Sequence, residues 1–487
     1  MTFELQHIIN RLKPLNIIGK SDIVISGVCI DSRKAEKGYL YAAMPGTHAD
    51  GHDFIEKAIE NGAAVILANR VDNPKEGITY LLVEDVPESM GIACHLFYGE
   101  PTKTLKLVGT TGTNGKTTVS TLLFELFTAM GHQCGLVSTV ENRIGKEVIP
   151  STHTTPDAAG LNALLAKMVE SGCEYCFMEC SSHAVHQRRI AGLEFTGAVF
   201  TNLTHDHLDY HKTFDNYLKA KKQFFDDLPA TAWALTNKDD RNGMIMLQNT
   251  KAARYTYAMK SGADFTVKIL ESDFQGMQLR LDGREAWVNL VGAFNAYNLA
   301  AVYGAAFLLT SGEEDIMLPL TRAGRVNGRF EAINGPERVT AIVDYAHTPD
   351  ALENVINTIN EIRGNHVQLI TVVGCGGNRD AAKRPEMGKI AARLSSKVIF
   401  TSDNPRDENP ETIIQQMEAG VEGQFYKKLL KITDRKEAIR TAVMLASPGD
   451  VILIAGKGHE TYQEIKGVKH PFDDKDIVKS IFNQHNE

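Results

Sequence analysis

The sequence has no run of about 18 apolar residues, the length that a membrane-spanning helix requires. Its N-terminal segment has no cationic stretch followed by a long apolar run, so we expect no secretion signal. Basic residues are not in excess, because the formal net charge is −8, and this argues against binding nucleic acid through a basic face. We therefore predict no membrane span and no nucleic-acid partner, while a local basic pocket for phosphates stays compatible with the composition.

Cysteine is sparse as well. The seven cysteines are odd in number and lack the spacing of a disulfide framework, which favours a reducing, cytoplasmic environment. Cys173, Cys176 and Cys180 are close enough in sequence to suggest zinc, but no second cysteine pair follows and the segment is apolar. We predict that these three are buried core residues.

The length and the apolar pattern predict several α/β units. A chain of 487 residues is too long for one hydrophobic core and should divide into about three domains. Strand-like runs alternate with helical segments, as in a doubly wound sheet. We predict domains over residues 1–100, 101–328 and 329–487. The predicted strands include residues 23–28, 105–108, 134–137, 175–179, 198–202, 340–344, 367–374, 397–402 and 451–455.

A glycine- and threonine-rich loop follows the strand at 105–108. Residues 109–118 are Gly-Thr-Thr-Gly-Thr-Asn-Gly-Lys-Thr-Thr, and an apolar helix is predicted over 119–130. A strand, a glycine loop and a helix in this order bind phosphates, because inward N–H groups and the helix N-terminus attract anions. Lys116 would reach the β- and γ-phosphates, and Thr117 would offer its hydroxyl to Mg²⁺. Although the usual pattern has glycine in place of Thr110, the context predicts ATP or GTP binding.

Two further segments carry candidate metal ligands. Glu179 ends the strand predicted over 175–179, where ligands of open parallel sheets gather, so its carboxylate suits Mg²⁺. A strand-end carboxylate capping a helix is an equal alternative. Residues 205–211, His-Asp-His-Leu-Asp-Tyr-His, hold three histidines and two aspartates. This cluster leaves a dinuclear zinc hydrolase open, although such an enzyme needs no phosphate loop.

Taken together, these motifs resemble those of the Mur ligases over essentially the whole chain. The resemblance rests on residues 111–117, 202–211, 292–298 and 344–349, in that order. It implies an α/β fold of three domains, with a central P-loop ATPase-like parallel sheet and a Rossmann-like C-terminal domain. It also implies an ADP-forming ligation, in which a carboxylate is activated as an acyl phosphate and an amine then displaces phosphate. Such chemistry depends on positioning and charge neutralisation.

The resemblance implies ATP and Mg²⁺ as cofactors. The implied ATP-binding residues are Gly109, Thr110, Thr111, Gly112, Thr113, Asn114, Gly115, Lys116, Thr117, Thr118, Asn295, Arg329, Asp344 and His347. The implied catalytic residues are Lys116, Glu179, His207 and Lys221, and the implied Mg²⁺ ligands are Thr117, Glu179, His207 and Lys221. In the family the lysine matching Lys221 is carbamylated, which turns a repelling ammonium into an anionic ligand. Without the family, Lys219, Lys221 and Lys222 indicate an exposed basic helix face, on a helix predicted over 214–228.

The resemblance also implies two organic substrates, UDP-N-acetylmuramoyl-L-alanyl-D-glutamate and meso-diaminopimelate. The implied UDP-precursor residues are Ser32, Thr47, His48, Ala49, Thr154, Thr155, Ser181, Gln187 and Arg189. The implied diaminopimelate residues are Arg379, Asp403, Asn404, Pro405, Arg406, Gly456 and Glu460. A guanidinium can bind the second carboxylate of diaminopimelate bidentately, and an acid can hold its second ammonium. By turn chemistry alone, residues 403–406 indicate only a turn.

Three alternatives stay open on the sequence. A lysine-adding ligase of the same family generally lacks the arginine at the position of Arg406. A folylpolyglutamate synthetase-type ligase shares the ATP loop but should lack a UDP-binding first domain. A zinc hydrolase would bind zinc tightly and act without nucleotide. We expect a monomer in the cytoplasm.

Overall fold

The computed structural model describes residues 2–46, 49–151, 153–312, 314–322, 324 and 326–484. Three large sheets follow one another along the chain, with two small two-stranded ladders beside them. This arrangement confirms the predicted fold class of α/β units in series. Within the described ranges, no helix has both the length and the apolar character needed to cross a membrane.

The first unit is a five-stranded sheet with three helices. Its elements are β1 (Phe3–Glu4), α1 (Leu5–Leu12), β2 (Asn16–Ile18), β3 (Val24–Ile25), β4 (Gly27–Cys29), β5 (Tyr39–Ala42), α2 (Ile55–Glu60), β6 (Val65–Ala68), β7 (Thr79–Leu82) and α3 (Val86–Phe97). The order is β2-β7-β6-β5-β4, and only β2 is antiparallel. The single strand predicted over 23–28 was wrong, because β3 pairs with β1 outside the sheet and Ser26 bonds Lys37 and Gly38 between the two strands.

The second unit is built on an eleven-stranded sheet. Its strands are β8 (Lys106–Thr111), β9 (Cys134–Val137), β10 (Glu141–Ile144), β11 (Glu147–Pro150), β12 (Tyr175–Glu179), β13 (Gly197–Phe200), β14 (Trp233–Asn237), β15 (Ala253–Ala258), β16 (Phe265–Ser272), β17 (Met277–Leu281) and β18 (Arg284–Val288). Its helices are α4 (Lys116–Ala129), α5 (Ala158–Glu170), α6 (Ser182–His186), α7 (Leu208–His211), α8 (Phe214–Asp226), α9 (Gly243–Met246), α10 (Ala293–Thr310) and α11 (Met317–Thr321).

The middle of this sheet is parallel, as predicted. The order is β11-β10-β9-β12-β8-β13-β14-β15-β16-β17-β18, and the seven strands from β9 to β16 in that order run parallel. An antiparallel pair of strands extends each edge. Separate apolar clusters cover the two faces, so the middle strands are buried on both sides. Their carboxyl ends therefore form the accessible edge at which the loops gather.

Two strand ends beside the phosphate loop differ from the prediction. The strand predicted over 105–108 continues to Thr111, because β8 pairs with β12 and β13 as far as Thr110 and Thr111. The strand predicted over 198–202 stops at Phe200, because Thr201 and Asn202 turn their side chains to the phosphate loop. The loop is therefore shorter, and better anchored, than the sequence indicated.

The third unit has a six-stranded sheet flanked by helices. Its elements are β19 (Glu331–Asn334), β20 (Thr340–Asp344), α12 (Pro349–Ile362), β21 (Leu369–Val373), α13 (Lys383–Leu394), β22 (Lys397–Phe400), α14 (Pro410–Glu418), β23 (Leu429–Lys431), α15 (Arg435–Leu445), β24 (Val451–Ala455), β25 (Tyr462–Ile465), β26 (Val468–Pro471) and α16 (Asp474–Gln484). The order is β19-β20-β24-β21-β22-β23, parallel except for β19. The strands predicted over 340–344 and 451–455 are confirmed, and those over 367–374 and 397–402 are shorter than predicted.

Candidate active site

The phosphate loop joins β8 to α4 at the carboxyl edge of the central sheet. Gly112 has φ 151° and Gly115 has φ 89°, which are conformations that other residues rarely adopt. A Cβ atom at Gly112 would overlap Thr201 Oγ1, and one at Gly115 would collide with Asn298 Oδ1. The first turn of α4 has no side-chain cap, so its backbone N–H groups face the position of an anion.

The loop is held by the end of the neighbouring strand. Thr201 Oγ1 donates to Asn114 O at 2.6 Å, and Asn114 N donates to Asn202 Oδ1 at 2.9 Å. Thr113 Oγ1 lies 3.1 Å from Tyr217 OH on α8. These contacts come from the two residues after β13 and from α8, and they preorganise the loop before any nucleotide binds.

Lys116 and Thr117 lie at the start of α4, where the phosphates of a nucleotide would bind. Lys116 Nζ donates to Gly112 O at 2.9 Å and to Thr113 O at 2.8 Å, so the ammonium folds back over the loop. Burial lowers the pKa of Lys116, opposed by the charges of Glu179 and Asp206. The Thr117 hydroxyl accepts a hydrogen bond from Arg329 Nη2 at 3.2 Å. Cationic groups thus surround the loop, as a polyphosphate requires.

Gly109, Thr110 and Thr111 are less accessible to a ligand than the sequence suggested. All three belong to β8, and Thr110 and Thr111 are almost fully buried. Among the described residues, neither threonine hydroxyl has a hydrogen-bond partner. The residues of the loop that are free to face a ligand begin at Gly112.

Glu179 brings a carboxylate to the same edge. It ends β12 directly beside Thr110 of β8 and is only 1% exposed. Its Oε1 accepts from Thr139 N at 2.7 Å, and its Oε2 accepts from Thr139 Oγ1 at 3.2 Å. Within the described ranges Glu179 makes no ion pair with a cationic side chain. A buried carboxylate held by neutral donors beside a phosphate loop suits a divalent cation.

The His205–His211 segment directly follows Thr204, whose N–H donates to Thr113 Oγ1 of the phosphate loop. His207 has φ 54° and lies 3.5 Å from Asp206 through Nε2 and Oδ2. Its ring packs edge to face on His183 at 4.9 Å, while His211 bonds Ser182 Oγ at 2.9 Å. No group of three or more His, Cys, Asp or Glu side chains in the described part of the chain has the geometry of a metal site.

Lys221 differs from the lysines next to it. Lys219 and Lys222 pair with Asp215 and Asp226 on the outer side of α8, whereas Lys221 is 1% exposed. Lys221 Nζ donates to Gly112 O at 2.8 Å and lies over the ring of Tyr217. Burial, reinforced by the charge of Lys116, lowers the pKa of Lys221 well below its usual value. The exposed basic face suggested by the sequence is therefore wrong for Lys221.

The third unit contacts the phosphate loop directly. Asn114 Nδ2 donates to Asp350 Oδ2 at 2.9 Å, and His205 Nε2 lies 3.2 Å from Asp380 Oδ2. Arg329 reaches Thr117 from the junction between the two units, and its Nε is buried without a described partner. The two units therefore close over the loop.

The other implied ATP residues line this junction. Asp344 is buried and accepts from Phe330 N at 2.7 Å, and burial raises the pKa of its carboxyl. His347 is difficult to protonate, because burial and the positive charge of Lys383 lower its pKa to about 4. Asn295, at the start of α10, is 2% exposed and bonds Val291 O and Asn298.

Several implied UDP-precursor residues form one connected group beside Glu179. Gln187 Oε1 accepts from Arg189 at 2.6 and 2.9 Å, and Arg189 Nη1 donates to Thr155 O at 2.7 Å. Thr154 accepts from Thr139 Oγ1, and Ser181 caps α6. Ser32 and Ala49 belong to the first unit, whereas Thr47 and His48 lie outside the described residues.

The implied diaminopimelate residues come from three loops of the third unit. Arg406 Nη1 donates to Gly377 O at 2.7 Å, and Arg406 Nε lies 3.3 Å from Glu464 Oε2. A Cβ atom added at Gly376 would lie 3.0 Å from Arg406 Nη1 and 3.7 Å from Arg379 Cγ, so both arginines flank one point. Asn404 Nδ2 donates to Glu460 Oε2 at 2.8 Å. Asp403, Pro405 and Gly456 complete the turn, and a Cβ at Gly456 would meet Asp403 Oδ2.

Sequence reasoning missed several side chains of this site. Thr139 orients Glu179, Asp350 and Asp380 join the units, and Lys457 is buried among the residues of the third-unit pocket. Only Lys457 had a local signal, because it stands between two glycines after a strong strand. The others depend on contacts between distant segments.

The chain is similar to known proteins over most of its length. Family profiles match three stretches: the Mur ligase family catalytic domain over residues 24–98, the Mur ligase middle domain over 110–306, and the Mur ligase glutamate ligase domain over 328–458. The chain belongs to the Mur ligase family. A UDP-N-acetylmuramoyl-L-alanyl-D-glutamate–2,6-diaminopimelate ligase from Bacteroides fragilis is 55% identical over 481 residues, covering 99% of each chain.

Solved structures place this Mur ligase among the same relatives. A structure with the same ligase name has a TM-score of 0.71 at 33% identity and covers 100% of both chains. The MurF ligase from Thermotoga maritima, solved in complex with ADP, covers 94% of this chain and 97% of its own, with a TM-score of 0.63. At 19% identity that likeness concerns the fold alone. Family membership implies that this Mur ligase uses ATP.

Proposed function

We propose that this Mur ligase joins meso-diaminopimelate to the D-glutamate of UDP-N-acetylmuramoyl-L-alanyl-D-glutamate, in the synthesis of peptidoglycan precursors. One observation carries the proposal. The loop that bears Arg379 also bears Asp380, which contacts His205 beside the phosphate loop. A pocket for a two-headed amino acid thus adjoins the site of phosphoryl transfer, and this proximity suits attack of an amine on an activated carboxylate.

The residues around the loop fit ATP and Mg²⁺. The unpartnered Arg329 Nε and the glycine turns suit a polyphosphate, and the buried Glu179 carboxylate suits a hard cation. Thr117, Glu179, His207 and a carbamylated Lys221 would hold Mg²⁺. ATP supplies the phosphoryl group that activates the substrate carboxylate as an acyl phosphate. Lys116 and Arg329 neutralise the charge at the loop, and closure of the third unit excludes water.

Carbamylation of Lys221 has a physical basis in its surroundings. Only a neutral amine attacks CO₂, and burial lowers the pKa of Lys221 well below its usual value, which favours the neutral amine. The product carries oxygen atoms and a negative charge, so it attracts Mg²⁺ where an ammonium would repel it. Lys219 is the matched control, because it lies on the same helix but is exposed and paired with Asp215.

The substrate residues divide between the units. We propose that Ser32, Thr47, His48 and Ala49 of the first unit bind the UDP group. The muramoyl-dipeptide would contact Thr154, Thr155, Ser181, Gln187 and Arg189. The second amino-acid head of diaminopimelate would bind Arg379, Asn404, Arg406, Gly456 and Glu460, with Asp403 and Pro405 shaping the turn. Guanidinium groups suit its carboxylate, and Glu460 suits its ammonium.

We further propose domain boundaries near residues 100 and 328, together with a monomer in the cytoplasm. One sheet ends and the next begins around each of these positions. The contacts between units, such as Asn114–Asp350, join parts of one chain. All seven cysteines are free and buried, which is compatible with a reducing compartment.

The decisive experiment measures ADP release with ATP, Mg²⁺ and UDP-N-acetylmuramoyl-L-alanyl-D-glutamate, with either meso-diaminopimelate or L-lysine added. Release that depends on diaminopimelate supports the proposal. Release with lysine alone would retain the ligase and refute the amino-acid pocket. Absence of release with both would refute the proposed substrates and lead to folate-type substrates.

A further inference from the structure

Lys457 is a fully buried cation that none of the roles proposed above uses. It has 0% exposed surface and follows β24, between Gly456 at φ 115° and Gly458 at φ 52°. A Cβ atom at Gly456 would lie 2.6 Å from Asp403 Oδ2, and one at Gly458 would lie 2.7 Å from Gly328 O. The two glycines therefore let this loop pack closely against its neighbours, and the side chain between them is enclosed.

The ammonium of Lys457 makes two hydrogen bonds inside the third-unit pocket. Lys457 Nζ donates to Glu460 Oε2 at 2.9 Å and to Asn404 Oδ1 at 3.0 Å, and it lies 4.0 Å from Asp403 Oδ1. Burying a cation is unfavourable unless charges and acceptors surround it. Here two carboxylates and an amide oxygen do so.

These bonds decide which atoms of the pocket are left for a ligand. Asn404 Oδ1 accepts from both Lys457 Nζ and Glu464 N, so its amide is oriented with Nδ2 toward Glu460. Glu460 Oε2 is occupied by Lys457 and Asn404, while Oε1 has no such contact among the described residues. Lys457 thus holds the Glu460 carboxylate in one orientation.

We infer that Lys457 is a positioning residue for amino-acid selection, which holds Glu460 and Asn404 ready for the second ammonium and carboxylate of the incoming diamino acid. The inference rests on the proposed function, because it deepens the role of the same pocket. The ammonium of Lys457 contacts Glu460, Asn404 and Asp403 of the third-unit pocket, so it acts on the diamino acid through them. Its removal should therefore affect one substrate and not the other two.

The test compares steady-state kinetics of Lys457→Met with those of the wild type, in ADP release with meso-diaminopimelate. Methionine preserves length and removes the charge, so the KM for diaminopimelate should rise by about tenfold or more, while kcat and the other two KM values stay nearly unchanged. Lys436→Met, on the exposed side of α15 in the same unit, is the matched control and should match the wild type. An equal rise in all three KM values, or an unchanged KM for diaminopimelate, would overturn the inference.

A double-mutant cycle with Glu460→Gln separates positioning from general destabilisation. If Lys457 acts through Glu460, Lys457→Met should add little to the KM of Glu460→Gln, and additive effects would overturn the inference. The double variant removes both charges of the Lys457–Glu460 pair, so it keeps the comparison with Glu460→Gln available if Lys457→Met alone does not fold. A wild type without diaminopimelate-dependent release would instead refute the proposed function, which separates the two failures.

Discussion

Replacing Asp474 with asparagine should cause the largest loss of stability that a single side-chain charge can produce in the third unit. Arg435 and Asp474 join the starts of α15 and α16, and both side chains are 0% exposed. Arg435 Nε and Nη2 donate to the two carboxylate oxygens at 2.8 and 2.7 Å. Burial acts to lower the pKa of Arg435, but the ion pair with Asp474 raises it. Asparagine keeps the shape but leaves a buried guanidinium uncompensated.

The expected cost is about 3–5 kcal/mol, the usual effect of removing one partner from a buried pair. For a unit of this size that corresponds to a fall of roughly 6–20 °C in its Tm. Differential scanning calorimetry measures the shift, and hydrogen–deuterium exchange of β24 and α15 assigns it to the third unit. Exchange should also rise at the 456–460 loop, because Arg435 Nη2 donates to Ala455 O just before it.

A matched double variant distinguishes an unpaired charge from lost packing. Arg435→Met with Asp474→Leu removes both charges from an apolar environment and should recover most of the stability. Arg435 Nη1 already lacks a partner among the described residues, so the ion pair is incompletely satisfied. A Tm change of less than about 2 °C for Asp474→Asn, or a double variant as unstable as the single one, would refute this reasoning.

Three further predictions concern the active site. Lys116→Ala should abolish turnover without changing the far-ultraviolet circular dichroism, because Lys116 contributes charge and little packing. Retained ligation by this variant would remove ATP from the mechanism. Arg406→Ala should raise the KM for diaminopimelate about tenfold or more with ATP binding unchanged, and an equal loss for all substrates would make Arg406 structural. Labelled CO₂ should give a carbamate ¹³C signal that is present above the lowered pKa of Lys221 and fades as acid protonates the amine. The signal should be absent in Lys221→Arg. Its absence from the wild type at pH 8 would contradict the assignment.

The sequence predicted the elements with the strongest local signals. Strands such as Tyr175–Glu179 and Val451–Ala455 are continuous apolar runs, and parallel strands buried on both faces show that pattern. The glycine loop before Lys116 was recognisable because its glycines are required by backbone geometry. Strand ends were less predictable, since Thr201 and Asn202 leave the ladder to bind a loop that is 87 or more residues away in sequence.

The sequence by itself therefore determined the α/β class, the family and the phosphate loop, because these depend on local pattern and residue type. Tertiary structure alone separated buried Lys221 from exposed Lys219 two positions earlier, since their difference is the face of α8 that packs on the loop. It also brought Asp350 to Asn114 of the phosphate loop and Asp380 to His205, and it enclosed Lys457 beside Glu460. Charge, burial and orientation at these residues depend on which distant segments pack together, and no local pattern contains that information.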